Sequence, residues 1–295
     1  MFDSLLAEYE GQFGRGRNIQ ELVDWVEGIP PMPEVASRAM RLVDDPDATS
    51  EQLAELIARD PALASQILKV ANSAALAQQQ AVTNLNDAIL VTGFSALKSI
   101  ILAATLRSWN KKFGPLERLV WEKSIGTAIA ARCGSARLRK SYRDELFMAG
   151  LLHNLGQIVL LSHDEIGPEY PGVLHRIRET RTDYATAERE VIGFSHPLVG
   201  ALVARKWDFP TATCHMILHY DDPFEGIGSE LDEKTALLKL AATVSLEAGI
   251  GFTEGHPTIS DATKDVARIL GLVDDLENIT QETKEQFDAE ASLYS

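Results

Sequence analysis

The chain has few cysteines and none of the common cysteine motifs. Of its 295 residues only Cys133 and Cys214 are cysteine, and they lie in unrelated segments. The absence of a Cys-x-x-Cys pair or a Cys-His zinc spacing argues against a zinc site built on cysteine. Both residues stand in helical apolar patterns, so we expect two buried free thiols and no disulfide.

Basic residues are also scarce. The chain has 28 Lys and Arg against 43 Asp and Glu, which gives a net charge of -15. Such a field repels phosphate backbones and anionic lipid. Nucleic acid and membrane surfaces are therefore disfavoured as main partners.

Long apolar runs and a recognisable signal peptide are missing. The first residues, Met1 to Ser4, do not form a basic region followed by an apolar core. Nor does any segment approach the run of about 18 apolar residues that a membrane-spanning helix needs. We expect no membrane insertion and a cytoplasmic location.

Alternating apolar and polar residues, the sign of β-strands, are nearly absent, whereas helical periodicity is found throughout. The sequence predicts an all-α fold. Asp60, Asn84 and Ser195 are placed to cap helices, the last of them a helix that begins at His196. The predicted helices of the second half are approximately 115–134, 143–162, 184–193, 196–207, 210–220 and 232–249.

The predicted organisation has two helical subdomains packed together, about 20–112 and about 115–250. A helical extension, 1–19, precedes them, and an acidic helical extension, 251–295, follows. The apolar residues of this last segment fit either a docked terminal helix or a projecting one. Projection would suit a homodimer or a connector to another domain.

One polar dipeptide interrupts an apolar helical pattern. His153 and Asn154 follow the apolar residues 147–152, and the pattern resumes at Leu155. A His followed by Asp in this setting is typical of a metal dyad. Because Asn154 carries an amide, the dyad lacks its carboxylate.

Other histidines offer ligands of the same kind. His215 and His219 are four residues apart and share one helix face, and with His153 and His196 they could line a pocket between helices. Asp221 and Asp222 are the nearby carboxylates. Two interpretations stay open: a transition-metal site, or core and surface histidines that each find a local hydrogen bond.

Lys123 lies on an apolar helical stripe, so its stem points toward the interior. Either the ammonium reaches solvent along its alkyl chain, or it occupies a polar pocket where another protein keeps a cation. In the second case we expect polar contacts with His153 or Asn154.

A series of short motifs resembles the HDOD family, the regulatory relatives of HD-domain phosphohydrolases. The resemblance covers roughly residues 20 to 245, and the number, order and spacing of the motifs make it specific. The motifs are Ile29–Val35, Ile57–Leu63, Ile67–Ser73, Val82–Ile89, Thr92–Phe94, Trp121–Ser124, Ala149–Gly156 and His196–Gly200. The resemblance implies a bacterial signalling protein with an all-α fold and no catalytic activity.

The resemblance also implies which positions correspond to the site residues of active HD enzymes. Those enzymes use an early His, a His-Asp dyad, later His residues and a closing Asp. Lys123 stands in place of the first His. His153 keeps the dyad His, while Asn154 replaces its Asp. Thr243 stands in place of the closing Asp.

The later histidines are better preserved. His196 matches one of them, and His219 falls where a His-His pair is expected, with the register open by one residue. The two lost carboxylates and the added lysine are each expected to lower the affinity of the site for a divalent cation. Like-charge repulsion at about 4 Å costs several kcal/mol even at an effective dielectric near 20.

We therefore expect no catalytic residues, no metal and no cofactor, with other signalling proteins or an attached output domain as partners. One alternative is a sensor that binds a small anion such as a nucleotide through Lys123 and the histidines. The other is a divergent metal-dependent phosphohydrolase that uses His153, His196, His215 or His219, and Asp221 or Asp222.

Overall fold

The computed structural model describes residues 19–73, 82–109, 114–224, 226–251 and 261–291. Every regular element within these ranges is helical, as the sequence predicts. The predicted extension 1–19 lies outside them apart from its last residue. The α-helices are α1 (Ile19–Gly28), α2 (Glu34–Val43), α3 (Ser50–Ile57), α4 (Pro61–Ala71), α5 (Leu85–Thr92), α6 (Phe94–Trp109), α7 (Pro115–Arg137), α8 (Arg143–Leu152), α9 (Leu155–Ser162), α10 (Tyr170–Thr180), α11 (Tyr184–Val191), α12 (His196–Lys206), α13 (Thr211–His219), α14 (Glu230–Glu247), α15 (Asp261–Ile269) and α16 (Leu276–Glu290).

The described chain divides into two compact units. The larger contains the described residues up to Pro30 and those from 114 to Lys284, and the smaller contains those from Pro31 to Trp109 and those after Lys284. All the candidate site residues lie in the larger unit.

In the smaller unit, side-chain caps fix the helix starts. The Asp60 carboxylate accepts from the N–H groups of Ala62 and Leu63, both at 3.1 Å, and the Asn84 side chain accepts from the Asp87 N–H at 2.9 Å. Both predicted caps are confirmed. They satisfy N–H groups that have no partner inside the helix.

In the larger unit, α7 packs against both α8 and α14, and α9 packs against α12. Two glycines permit the closest of these approaches. A Cβ at Gly150 would lie 2.5 Å from the Ala128 Cα, and one at Gly156 would overlap the carbonyl of His196. These contacts hold the His153–Asn154 dipeptide, which separates α8 from α9, between α7 and α12.

Three local predictions need correction. The segment predicted as one helix, 143–162, is two helices with a break at the polar dipeptide, and α10 lies where no helix was predicted. The Ser195 side chain makes no cap hydrogen bond at the start of α12. Both cysteines are buried and free, as expected.

The C-terminal segment is docked. Val266 and Leu270 of α15 and Leu276 and Ile279 of α16 are buried, and Arg137 pairs with Glu282 of α16 at 2.8 Å. The docked interpretation is therefore the one found in the structure. The homodimer through the C-terminal helix stays a prediction, and these apolar side chains are already covered within the chain.

One described segment, Arg143–Ser162, is long and apolar enough to cross a membrane by length and composition, and 83% of its most apolar part is buried in the fold. It comprises α8 and α9. Two consecutive helical segments, Leu85–Thr92 and Phe94–Arg107, are also long and apolar enough when they are taken together. The chain bends by 111° between them.

We predict that Gly156→Ala destabilises the fold because the added methyl group would overlap the backbone of α12. Overpacking of this kind costs about 1–3 kcal/mol. Gly28→Ala is the matched control, since a Cβ at Gly28 meets nothing within 4 Å. Urea denaturation measures both free energies of unfolding, and equal values for the two variants would contradict the packing described here.

Candidate functional site

Four helices contribute the residues that the sequence predicts at the HD-like site. Lys123 lies on α7, His153 and Asn154 form the break between α8 and α9, and His196 is the first residue of α12. His153, Asn154 and His196 are at most 1% exposed. The site is therefore a buried polar centre in an otherwise apolar core.

A carboxylate that the sequence did not single out organises this centre. Glu188 of α11 is fully buried and accepts three hydrogen bonds. One oxygen lies 2.7 Å from both the backbone nitrogen and the ring Nδ1 of His196, and the other accepts from the Tyr170 hydroxyl at 2.5 Å. Glu188 thus takes the capping role that was predicted for Ser195.

The second nitrogen of His196 is also engaged. Its Nε2 lies 2.6 Å from the hydroxyl oxygen of Tyr220. A neutral imidazole satisfies all these groups when Nδ1–H donates to Glu188 and Nε2 accepts from the tyrosine hydroxyl. His196 then has no nitrogen left for a metal ion.

Both tyrosines of this network have a raised pKa. Burial, followed by the nearby Glu188 charge, raises the pKa of Tyr170 well above its usual value. Burial and then the charge of Asp221 do the same to the pKa of Tyr220. The hydroxyl groups are therefore donors throughout the physiological range.

His153 has one engaged nitrogen. Its Nδ1 lies 2.6 Å from the Gly150 carbonyl oxygen, which fixes Nδ1–H as the donor. Its ring packs edge-on against the Tyr220 ring, with centroids 5.1 Å apart. Burial, and after it the charge of Lys123, holds the pKa of His153 well below its ordinary value, so the ring is neutral.

Three buried polar atoms at the dipeptide have no hydrogen-bond partner among the described residues: Nε2 of His153, and both the oxygen and the nitrogen of the Asn154 amide. A buried polar group without a partner costs about 1–3 kcal/mol. This cost is concentrated at the two residues where an HD enzyme holds its metal.

Lys123 does not make the predicted contact with His153 or Asn154, and that prediction is wrong. Its Nζ lies 6.0 Å from the centre of the Tyr184 ring, and the side chain is half-buried. Burial lowers the pKa of Lys123, while the charges of Asp221 and Glu188 act in the opposite direction. The ammonium therefore acts on His153 through its charge and not through a hydrogen bond.

A cavity of about 290 Å³ opens beside this centre. Lys123, His196, Asp221 and Thr243 all lie in its wall, so the structure brings these four predicted positions together. The Thr243 hydroxyl donates to the backbone oxygen of Lys239 at 2.7 Å. The other lining residues are Asp183, Tyr184, Tyr220, Lys239, Ala242, Leu246, Thr263 and Val266.

His215, His219 and Asp222 form a separate group. The His219 Nδ1 lies 2.7 Å from an Asp222 carboxylate oxygen, and the two histidine rings have centroids 4.3 Å apart. These two histidines contact each other at a half-buried position. Tyr220, next to His219, is the residue of this segment that contacts the rings of His153 and His196.

The residues present do not fit a divalent metal. Among the described residues, no group of three His, Cys, Asp or Glu side chains converges as a metal site. Asn154 offers no charge, His196 has both nitrogens engaged and Lys123 adds a cation. A dication needs anionic oxygen or free imidazole ligands, and this arrangement provides too few of them.

The fold and the remnant of the HD site define an HD-like helical protein of the HDOD type. The HDOD domain family model matches residues 29–223. The chain therefore belongs to the HDOD domain family.

Relatives of known structure share the fold. An HDOD domain protein of unknown function from Geobacter sulfurreducens is 22% identical, with a TM-score of 0.72 over 90% of this chain and 96% of that one. A protein from Shewanella amazonensis SB2B proposed to be a phosphohydrolase is 20% identical, with a TM-score of 0.66 over 90% of this chain and 97% of that one. A protein from Marinobacter aquaeolei VT8 proposed to act in signal transduction is 21% identical, with a TM-score of 0.66 over 98% of this chain and 65% of that one.

A sequence relative is considerably longer. An uncharacterized protein of Treponema pallidum (strain Nichols) is 23% identical over 213 residues, which are 68% of this chain. The match spans only 39% of the Treponema protein.

We predict that Glu188→Ala strongly destabilises the protein, because it leaves the Tyr170 hydroxyl and two N–H groups of His196 buried without an acceptor. Each buried donor that is left without an acceptor costs about 1–3 kcal/mol. Glu190→Ala on the same helix removes only an exposed pair with Arg176, and such pairs contribute about 0–1 kcal/mol. Chemical denaturation compares the two, and similar losses would contradict the organising role of Glu188.

We also predict a loss of stability at mildly acidic pH that originates in His153. Its pKa is lowered in the folded state, so below the unfolded value, about 6.5, the unfolded chain binds a proton that the folded chain does not. Stability then falls by about 1.4 kcal/mol per pH unit. In His153→Gln the fall between pH 6.5 and 5.5 should become shallower.

His175→Gln is the control for this pH dependence, because the His175 side chain is 72% exposed. It should retain the wild-type pH slope of the free energy of unfolding. An unchanged slope in His153→Gln would show that the buried imidazole is not its source.

Proposed function

We propose that this HDOD chain is a non-catalytic signal-transduction domain that acts by binding other proteins. The observation that carries the proposal is the state of His196, whose two ring nitrogens are both engaged inside the fold. Metal-dependent hydrolysis needs ligands that leave an open water position on the ion. At this site the ligand set has been replaced by an internal hydrogen-bond network.

The neighbouring substitutions support the same proposal. Asn154 removes one carboxylate, Thr243 stands where another is expected, and Lys123 places a positive charge near His153. Each of them lowers the affinity for a dication. The helical fold of the family is retained around them, which favours a role for its surface.

The partners that we propose are other signalling proteins or an attached output domain. The net charge of -15 argues against nucleic acid and anionic membrane. The match to 39% of the Treponema protein favours units of this type working within longer chains. A cytoplasmic location belongs to the same proposal.

A sensor for a small anion is the second candidate. It is favoured by the Lys123 ammonium, which lies in the wall of the cavity beside His196 and makes no hydrogen bond to a described residue. A half-buried ammonium in a cavity wall is a natural partner for an anion. In this candidate, the ligand would regulate the protein-binding role.

We predict that the purified chain does not hydrolyse nucleotides or phosphodiesters with Mg²⁺, Mn²⁺ or Fe²⁺, because no group of three metal-ligating side chains converges among the described residues. Turnover with each metal is measured beside an active HD enzyme as the positive control. Metal-dependent turnover that is lost in His153→Ala would overturn the proposal and favour the divergent phosphohydrolase.

A further inference from the structure

A second cavity, of about 340 Å³, meets the first at Lys123. Both cavities are lined by Lys123, Tyr184 and Leu246. The second one runs between the start of α7 and the end of α10. It differs from the first in chemistry, because its wall is mostly apolar.

The apolar wall consists of half-buried side chains that still have surface to cover. Leu116 and Leu119 come from α7, Leu174 and Ile177 from α10, and Leu246 from α14. Half-buried leucine and isoleucine side chains gain about 25 cal/mol for each Å² of apolar surface that a ligand removes from water. The wall therefore suits a hydrocarbon body.

The polar groups of this cavity are few, and two of them are cationic. Lys123 and Arg178 lie in the wall, together with the amide of Gln157. The described residues offer the Lys123 ammonium no hydrogen-bond acceptor, although the side chain is half-buried. One anionic group at Lys123 would provide that missing acceptor.

The backbone fixes the position of this lysine. Gly251 has a positive φ of 68°, and a Cβ there would lie 2.6 Å from the Lys123 Cβ and 2.7 Å from its nitrogen. The turn after α14 therefore packs directly against the stem of Lys123. This contact restricts the first part of the side chain, which lines both cavities.

We propose that this cavity binds a small amphiphilic monoanion of the aliphatic carboxylate class. The carboxylate accepts from Lys123 at the junction, and the hydrocarbon chain lies along Leu116, Leu119 and Ile177. A nucleotide fits less well, because a polyphosphate requires a cluster of cationic donors and here an apolar wall surrounds two. The inference rests on the sensor candidate of the proposed function and specifies its ligand.

The test uses the full chain and three probes in isothermal titration calorimetry: sodium octanoate, neutral 1-octanol and inorganic phosphate. We expect one octanoate per chain, with octanol and phosphate each bound at least about tenfold more weakly, because each retains only one of the two interactions. If octanoate does not bind, or if phosphate or octanol binds as tightly, the proposal is overturned.

Variants locate the site. Lys123→Met keeps the stem and should lose about tenfold to a hundredfold in octanoate affinity, the range for a charge-assisted hydrogen bond. Ile177→Asp should lose a similar factor by placing a charge on the wall. Lys140→Met, which removes a surface lysine paired with Glu233, should bind like the wild type.

Thermal denaturation checks that each variant is folded, and the three-probe comparison on the wild type does not depend on any variant. Octanoate binding that is unchanged in both Lys123→Met and Ile177→Asp would place the ligand elsewhere and overturn the assignment. Failure of octanoate to bind leaves the protein-binding proposal intact, because that proposal is tested by the absence of hydrolysis.

Discussion

The Glu188 carboxylate is fully buried, and the larger unit depends on how that charge is stabilised. It accepts from the Tyr170 hydroxyl at the start of α10, and from the ring and the backbone N–H of His196 at the start of α12. The positive end of the α12 dipole faces it as well. Tyr220, at the end of α13, extends the same network through His196.

In an HD enzyme, the histidines and carboxylates of the site coordinate a divalent cation. Here hydrogen bonds hold His196 within the fold, while the other half of the old site, His153 and Asn154, contains three polar atoms that no described residue satisfies. Lys123 contributes a charge near His153 without touching it. Among the described residues, hydrogen bonds around Glu188 and His196 therefore hold this centre together.

The sequence was sufficient for the fold class, because helical periodicity and the Asp60 and Asn84 caps are local signals. The altered positions of the site, Asn154 and Thr243, come from the family resemblance, and their assignment stays a prediction. The HDOD motifs are spread over most of the chain, which is why the sequence alone indicates the family that the family model confirms.

The network around Glu188 was not predictable in the same way. Its members are 8 to 24 residues apart along the chain, and their meeting depends on how α10, α11, α12 and α13 pack. The spacing of His215 and His219 places both on one face of α13, but it does not say which groups that face meets. Nor does the local sequence Leu218-His219-Tyr220 say that the Tyr220 hydroxyl contacts His196.

The measurement that tests the central claim most directly is the nitrogen NMR spectrum of the histidine rings during titration with Zn²⁺. The account predicts that His196 is held as the Nδ1–H tautomer, and that neither His196 nor His153 shifts when one equivalent of Zn²⁺ is added. The exposed His175 serves as the internal reference for nonspecific binding. Saturable, stoichiometric shifts of the His153 and His196 ring nitrogens would show that the centre still binds a metal, and would contradict the account.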